Sequence, residues 1–249
     1  MSPRAAASVT AVIAAAGSGE RLGAGGPKAF VPLAGRPLVE WSIAAMRAAP
    51  SVRSIVVACP PGHVHDLDGR ELDVLEGGAT RAQSVANALA AVGTELVAIH
   101  DAARPLVTPE LIEGVVATLL ADPEADGAIA ATPVTDTIKR AARGLVMDSG
   151  AYRAPNQSFE VEETVDRGQL WAAQTPQVFR VDALRRVLEA DPSQLEGATD
   201  EAVMVEAAGG RVLIHPASAE NLKVTTPLDL RMAELLLANR DPDEQRATE

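Results

Sequence analysis

The chain has 249 residues, 34 acidic against 22 basic side chains for a formal charge of −12, and 47% hydrophobic but only 2% aromatic residues. Such an acidic balance argues against a nucleic-acid or membrane-surface binder, because phosphate backbones and anionic lipids favour a basic face, although a small polyphosphate needs only a local cluster of Lys and Arg. The single cysteine, Cys59, cannot close an intrachain disulfide, and no stretch approaches the roughly 20 apolar residues of a membrane span, so the composition is that of a soluble, cytoplasmic chain with an aliphatic core.

In chain order, Val9–Ala16 is short for the apolar part of a signal peptide and runs straight into glycines, so it reads as a first strand, Val9–Ala14. A helix follows near Leu38–Met46, then strands at Ser54–Ala58 and Leu72–Leu75, a helix at Arg81–Val92 and a strand at Leu96–His100. Next come a helix at Pro109–Leu120, a strand at Gly127–Ala131, helices at Asp182–Ala190 and Asp200–Ala208, a strand at Arg211–His215 and a helix at Pro227–Ala238. Thr108 before Pro109, and Thr226 before Pro227, place a capping hydroxyl ahead of a proline at the first helical position. Runs such as "SIVVA" and "ELVAI" are apolar on both faces, as strands covered by helices on both sides are. The alternation predicts an α/β fold: a Rossmann-like, mostly parallel sheet flanked by helices, in one domain over 1–249. Residues Ala141–Gln169 break the rhythm with charges, turn residues and two short extended pieces, which suggests a protruding β-arm of about 136–170. The last residues, 240–249, read as a polar tail.

The densest local signal is "AVIAAAGSGERLGAGGPKAF", residues 11–30. An apolar strand ends in a glycine-rich turn, the place where an open α/β sheet holds its ligands, and glycine lets backbone N–H groups approach phosphate oxygens. A Walker A loop needs Gly-Lys-Ser/Thr, whereas Lys28 follows Pro27 and precedes Ala29; the dinucleotide fingerprint needs GxGxxG, whereas Gly17, Gly19 and Gly23 give GxGxxxG. Arg21 and Lys28 bracket the loop, and fixed cations beside a phosphate cradle serve nucleotidyl transfer by stabilising charge at the five-coordinate phosphorus. A plain strand-to-helix turn is the alternative for the glycines alone.

The pattern of strand, AAGxGxRxG and PK resembles the signature of the sugar-nucleotidyltransferase superfamily, and within it the 2-C-methyl-D-erythritol 4-phosphate cytidylyltransferase family of the non-mevalonate isoprenoid pathway. The further matches are "GGATRAQSV", "HDAARPLVT", "DTIKR", "TVDRGQLWAAQTPQVF", "TDEA" and "ENLKVTTPLDL", in family order and spanning most of the chain. The resemblance implies CTP and a polyol phosphate as substrates, Mg²⁺ as cofactor and a homodimer built through the arm. A cytidylyltransferase acting on ribitol 5-phosphate or another polyol phosphate is the alternative. Between "DTIKR" and "TVDRG" the chain is longer than the family pattern, which bears on the geometry of the arm.

By resemblance, the nucleotide lies on Ala15, Ala16, Gly17 and Gly19, with cytosine read by Gly78, Arg81 and Ser84. Arg21, Lys28 and Lys223 are then the catalytic cations, and Thr137, Arg167, Thr175 and Glu220 hold the acceptor, with Thr137 and Arg167 serving the neighbouring subunit. Glu220 stands where the family has Asp. Asp101, just past a buried strand, is the expected metal ligand, since Mg²⁺ takes one or two carboxylates and completes its shell with phosphates and water; a capping or ion-paired aspartate is the plainer reading. Arg104 either pairs with Asp101 or lines the acceptor site. The four histidines, His63, His65, His100 and His215, show no metal spacing and read as structural or surface residues.

Overall fold

A computed structural model describes residues 7–17, 19–23, 26–67, 69–142, 158–190 and 200–240. The chain forms two compact units, one of Met1–Ala131 with Ala173–Glu249 and one of Thr132–Ala172.

The larger unit is organised on a seven-stranded sheet of β1 (Val9–Ala14), β4 (Val52–Cys59), β5 (Asp73–Glu76), β6 (Leu96–Asp101), β7 (Gly127–Pro133), β10 (Trp171–Arg180) and β11 (Val212–Pro216), in the order β11-β7-β10-β6-β1-β4-β5. β1 pairs in parallel with both β4 and β6, β4 with β5, and β11 with β7. The mostly parallel sheet flanked by helices is therefore as the sequence implies. The helices are α1 (Leu38–Ala48), α2 (Arg81–Leu89), α3 (Pro109–Ala121), α4 (Val181–Ala190), α5 (Glu201–Ala207) and α6 (Pro227–Ala238).

Side chains alternate across the pleat and sort the core into two faces. Ala11 and Ile13 of β1 pack with Val39, Ile43 and Met46 of α1. Val12 points the other way, to Val85 and Leu89 of α2 and Leu184 of α4. On β6, Val97 and Ile99 join the second face, while Leu96 and Ala98 meet Val115, Val116 and Leu119 of α3. All six residues of β6 are buried, and its first four, Leu96–Ile99, read as an unbroken apolar run for that reason.

Strand order positions the site. From β1 the chain moves to β4 and β5 on one side and then returns to β6 on the other, so a topological switch point lies between β1 and β6. At their carboxyl ends Ala14 pairs with Asp101. Ligands of open α/β sheets bind in the crevice at such a point.

Three features depart from the sequence reading. β10 is a ten-residue strand running antiparallel to β6 in the middle of the sheet, where no strand was expected. Pro176 has no N–H to give a ladder, and Gln174 and Gln177 interrupt the apolar run. Its pairing with β6 begins at Gln177, opposite Ile99, just past the proline. α2 ends at Leu89 rather than Val92, because the N–H groups of Ala91 and Val92 turn to the carbonyls three residues back, tightening the last turn to 3₁₀ geometry. A small hairpin, β2 (Pro32–Leu33) with β3 (Arg36–Pro37), turns on Ala34 and Gly35 at φ of 49° and 82°, the positive pair a two-residue hairpin turn requires.

In the smaller unit β8 (Lys139–Ala141) pairs antiparallel with β9 (Val161–Thr164). The longer connection anticipated between "DTIKR" and "TVDRG" falls largely on residues 143–157, outside the described residues, as does the tail over 241–249.

Candidate active site

After β1, Ala15 is tied to the sheet by its N–H, which donates to the Ala58 carbonyl at 2.9 Å. Farther along, the loop closes on itself: the Lys28 N–H donates to the Gly17 carbonyl at 3.3 Å, and Leu22 N–H to Gly19 at 2.9 Å. Gly19 has φ +74°, and a Cβ there would lie 2.8 Å from Lys28 Cβ, so both backbone conformation and close approach demand glycine. This closure sets Lys28 beside the glycines it follows in sequence. Leu22, Val31, Leu33 and Leu38 pack with Val224 and Ala233 in a satellite cluster, which anchors the loop and the segment carrying Lys223 to the same apolar nucleus.

Asp101 lies across the switch point. Its Oδ1 accepts from Arg81 Nε at 2.8 Å and its Oδ2 pairs with Lys223 Nζ at 2.7 Å. Burial by itself would raise the Asp101 carboxyl, but Arg81 and Lys223 overcome that and hold it well below the usual carboxylate range. Lys28 is pushed down to about 8, chiefly by burial and then by the like charge of Lys223, with Asp101 opposing. Of the three cations foreseen in sequence, Lys28 and Lys223 share the field of Asp101, and Arg21, exposed on the short 3₁₀ turn Glu20–Leu22, acts on Lys28 as a further like charge.

The "GGATRAQSV" segment enters α2, with Thr80 capping the Gln83 N–H. Ser84 is buried, and its hydroxyl accepts from Gly78 N–H at 3.0 Å while donating to the Thr80 carbonyl at 2.9 Å. It therefore shapes the glycine turn from beneath. Gly77 is packed so closely that a Cβ would meet Ala16 at 2.5 Å and Ser84 Oγ at 2.8 Å, which brings this turn against the residues at the start of the glycine loop. Arg81 faces inward: beside its Asp101 contact, Nη1 reaches both carboxylate oxygens of Glu201 at 2.6 Å.

The expected acceptor residues scatter. Thr175 is buried, accepts from the Asp101 N–H at 3.1 Å and meets His100 Nδ1 at 3.0 Å, so it fixes the backbone under Asp101. Arg104 donates to the carbonyls of Asn221 at 2.7 Å and Ala173 at 3.4 Å; it ties the loop after β6 to the Lys223 segment. Glu220 is exposed, its N–H on Ser218 Oγ at 3.1 Å. Thr137 and Arg167 are exposed in the smaller unit, where Arg167 donates to the Thr135 carbonyl.

Some residues of the site had no ligand or catalytic role in the sequence reading, and His100 proves to be structural, one of the two readings given to it. His100 is fully buried, bonded to Thr175 and to the Arg104 carbonyl at 3.2 Å, and burial drives its pKa down to about 4. It is a neutral structural histidine. Asn221 Nδ2 donates to Gln174 Oε1 at 2.7 Å and to the Thr175 carbonyl at 2.9 Å. Glu201 lies in the "TDEA" run, noted for its resemblance without a role; a glutamate directly after a capping aspartate is a signal only once α5 is known to face the site.

Among the described residues no group of three or more His, Cys, Asp or Glu could hold a metal. Asp101 is an ionised, hard oxygen donor whose oxygens are taken by Arg81 and by the exposed Lys223; with Lys223 moved away, one oxygen suits an ion that arrives with phosphate and water ligands of its own. Glu201, with no exposure and both oxygens on Arg81, has none to spare.

The sequence model of the IspD family, described as 2-C-methyl-D-erythritol 4-phosphate cytidylyltransferase, matches residues 9–239. A relative of that name from Aromatoleum aromaticum is 41% identical over 245 residues, covering 92% of this chain and 95% of its own. Another from Rubrobacter xylanophilus is 41% identical over 239 residues, covering 93% and 95%. The crystal structure of 2-C-methyl-D-erythritol 4-phosphate cytidylyltransferase from Thermus thermophilus superposes with a TM-score of 0.70 at 34% identity, covering 91% of this chain and 97% of that one.

Proposed function

From the premise that the chain belongs to the IspD family, we propose that its switch-point site transfers CMP from CTP to 2-C-methyl-D-erythritol 4-phosphate in non-mevalonate isoprenoid biosynthesis, releasing pyrophosphate. The observation that carries the chemistry is the cluster of Asp101, Lys223 and Lys28 at the carboxyl end of β1 and β6.

The triphosphate lies on Ala15, Ala16, Gly17 and Gly19, where glycines let backbone N–H groups approach phosphate oxygens. Cytosine occupies the turn shaped by Ser84 around Gly78. A phosphate oxygen of the acceptor attacks the α-phosphorus in line, the bond from that phosphorus to the bridging oxygen breaks, and pyrophosphate leaves with the electron pair. The acceptor monoester is largely dianionic at neutral pH, its second pKa being about 6, so no protein base has to remove a proton. Charge stabilisation is what remains for the protein to supply: Lys28, Lys223 and Arg21 face the phosphates. Lys223 leaves Asp101 for the triphosphate, a change of partner that its exposed position permits. Asp101 would hold Mg²⁺, which would supply charge neutralisation at the phosphate oxygens.

Thr137 and Arg167 serve the site of a second copy, the smaller unit being the arm that reaches across a homodimer; their exposure supports this reading. Thr175 and Arg104 act beneath the acceptor, and Glu220 faces its hydroxyls. No helix among the described residues is long and apolar enough to cross a membrane, and we place the enzyme in the cytoplasm with its nucleotide substrate.

Pyrophosphate release from CTP, with methylerythritol 4-phosphate and ribitol 5-phosphate as parallel acceptors, tests the function. Release with the first alone is expected and ceases when divalent cation is chelated. Release with the second alone would move the chain to another polyol phosphate, and activity that survives chelation would remove the metal from Asp101. A monomeric mass in solution would remove the exchanged arm.

A further inference from the structure

Glu201 is a carboxylate of this network that touches Arg81 directly and that the reaction as described leaves unused, and its setting is costly. It has no exposed surface, and taking a carboxylate out of water costs several kcal/mol unless it is paired and hydrogen-bonded. Both its oxygens accept from a single nitrogen, Arg81 Nη1, at 2.6 Å. Arg81 Nε then reaches Asp101 Oδ1 at 2.8 Å, while Arg81 Nη2 is buried with no partner among the described residues. The aim of this guanidinium is therefore set from two sides only, by the carboxylate it presents to the site and by the one behind it.

The anchor behind is itself fixed. Asp200, which caps α5, accepts from Val203 N–H at 3.1 Å and from Gln177 Nε2 at 2.9 Å, so the start of α5 is bolted to β10. Glu201 is the next residue. The chain of contacts runs β10, Asp200, Glu201, Arg81, Asp101, and joins the antiparallel strand that sequence reading missed to the carboxylate at the switch point.

We infer that Glu201 is a positioning residue for the transfer reaction: by holding Arg81 it fixes the direction in which the Asp101 carboxylate faces the reacting phosphates. The inference rests on the functional reading above. Its alternative is a buried ion pair that only stabilises the fold, and electrostatics separates the two. Removing a negative charge near a polyanionic ligand leaves CTP binding as tight or tighter, whereas a misaimed carboxylate slows the chemical step, since a misplacement of about 1 Å costs on the order of 100-fold in rate.

The test is a double-mutant cycle on turnover with Glu201→Gln, Arg81→Met and the pair, with CTP affinity measured by calorimetry and folding by circular dichroism. Glu201→Gln is expected to lower kcat about 10- to 100-fold without weakening CTP binding. The double variant is expected to be no slower than Arg81→Met alone, because residues acting through one another are non-additive. Glu201→Asp, which keeps the charge on a shorter stem, is expected to recover part of the loss, and it replaces Glu201→Gln in the cycle should the latter fail to fold. Wild-type turnover in the substituted protein, weakened CTP binding with unchanged kcat, or losses that multiply in the double variant would overturn the positioning role. Silence of the unsubstituted protein as well would instead remove the functional reading on which it stands.

Discussion

At the carboxyl ends of β1 and β6, Asp101 sits between Arg81 and Lys223 with side-chain exposures of 10%, 24% and 41%. In the β8–β9 hairpin, Arg140 pairs with Glu163 at a comparable 2.6 Å, but the two side chains are 58% and 51% exposed. The distances are alike and the consequences are not. In the first place water is largely excluded from Asp101 and Arg81, so each charge shifts the protonation of its neighbours and cannot be altered alone. In the second, solvent and salt screen the pair, and the two long side chains give up entropy to hold it. Contact lists alone would rank the two as equals; burial decides which carries function.

The sharpest way to break that contrast is Lys28→Ala. If the buried end of the sheet does its work through fixed charge, the loss is of the order seen when one preorganised stabilising donor is removed, about 10²- to 10³-fold in kcat, with the protein still folded. Near wild-type turnover would dismiss Lys28 from the chemistry. The same lysine gives a pH signature. Its pKa, brought down to about 8 by burial and by Lys223, means that the free enzyme loses this charge as pH rises through that value. kcat/KM for CTP therefore declines on the alkaline side from about pH 8, since that parameter reports the free enzyme. The limb moves to higher pH in kcat, because bound triphosphate favours the charged form. An alkaline limb that stays in place on saturation with CTP would assign it to another group.

A smaller effect sharpens the role of burial itself. His100, neutral in the fold, has a pKa depressed by burial from 6.5 to about 4. The unfolded chain takes up a proton near the ordinary value and the native state refuses it, so stability is full above about 6.5 and is lost as pH falls toward 4. The difference corresponds to about 3 kcal/mol over that window, read as a falling urea midpoint between pH 7 and pH 4.5. His100→Asn is expected to be less stable throughout but flatter with pH in this range. An equal slope in both proteins would place the titration elsewhere.

How much of this could be read without the structure follows the same divide between local and distant partners. β1 and α6 are where the sequence places them, residue for residue, because an apolar run closed by glycine and a Thr-Pro start are local signals. Lys28 is legible as a cation bracketing the glycine loop and Asp101 as a charge past an apolar strand, whereas Lys223 is reached only through resemblance. What was not legible is long-range. Arg81 meets Glu201 across 120 positions, and Thr175 meets His100 across 75; neither pairing leaves a trace in its own neighbourhood. Resemblance points Ser84 and Thr175 at ligands; in the structure Ser84 bonds to Gly78 and Thr80, and Thr175 to Asp101 and His100. β10 was missed for a related reason: Pro176 and two glutamines make a poor strand by local rules, and they are accommodated because Gln174 finds Asn221 and Gln177 finds Asp200.

The smallest expected effect completes the contrast from its other side. Arg140→Ala removes an ion pair that is geometrically as good as the one between Arg81 and Glu201, yet more than half of each of its side chains is exposed. Exposed pairs of this kind contribute little to stability and are weakened further by salt. The urea midpoint of the variant is therefore expected to match that of the unsubstituted protein, at low ionic strength and in added salt alike. Turnover per active site is expected to match as well, since neither partner of the pair is among the residues assigned to substrate. A lower turnover with an unchanged midpoint would mean that the hairpin's charges are covered in the working assembly. Arg140 and Glu163 would then belong with Asp101 and Arg81, among pairs whose worth is set by what excludes water from them.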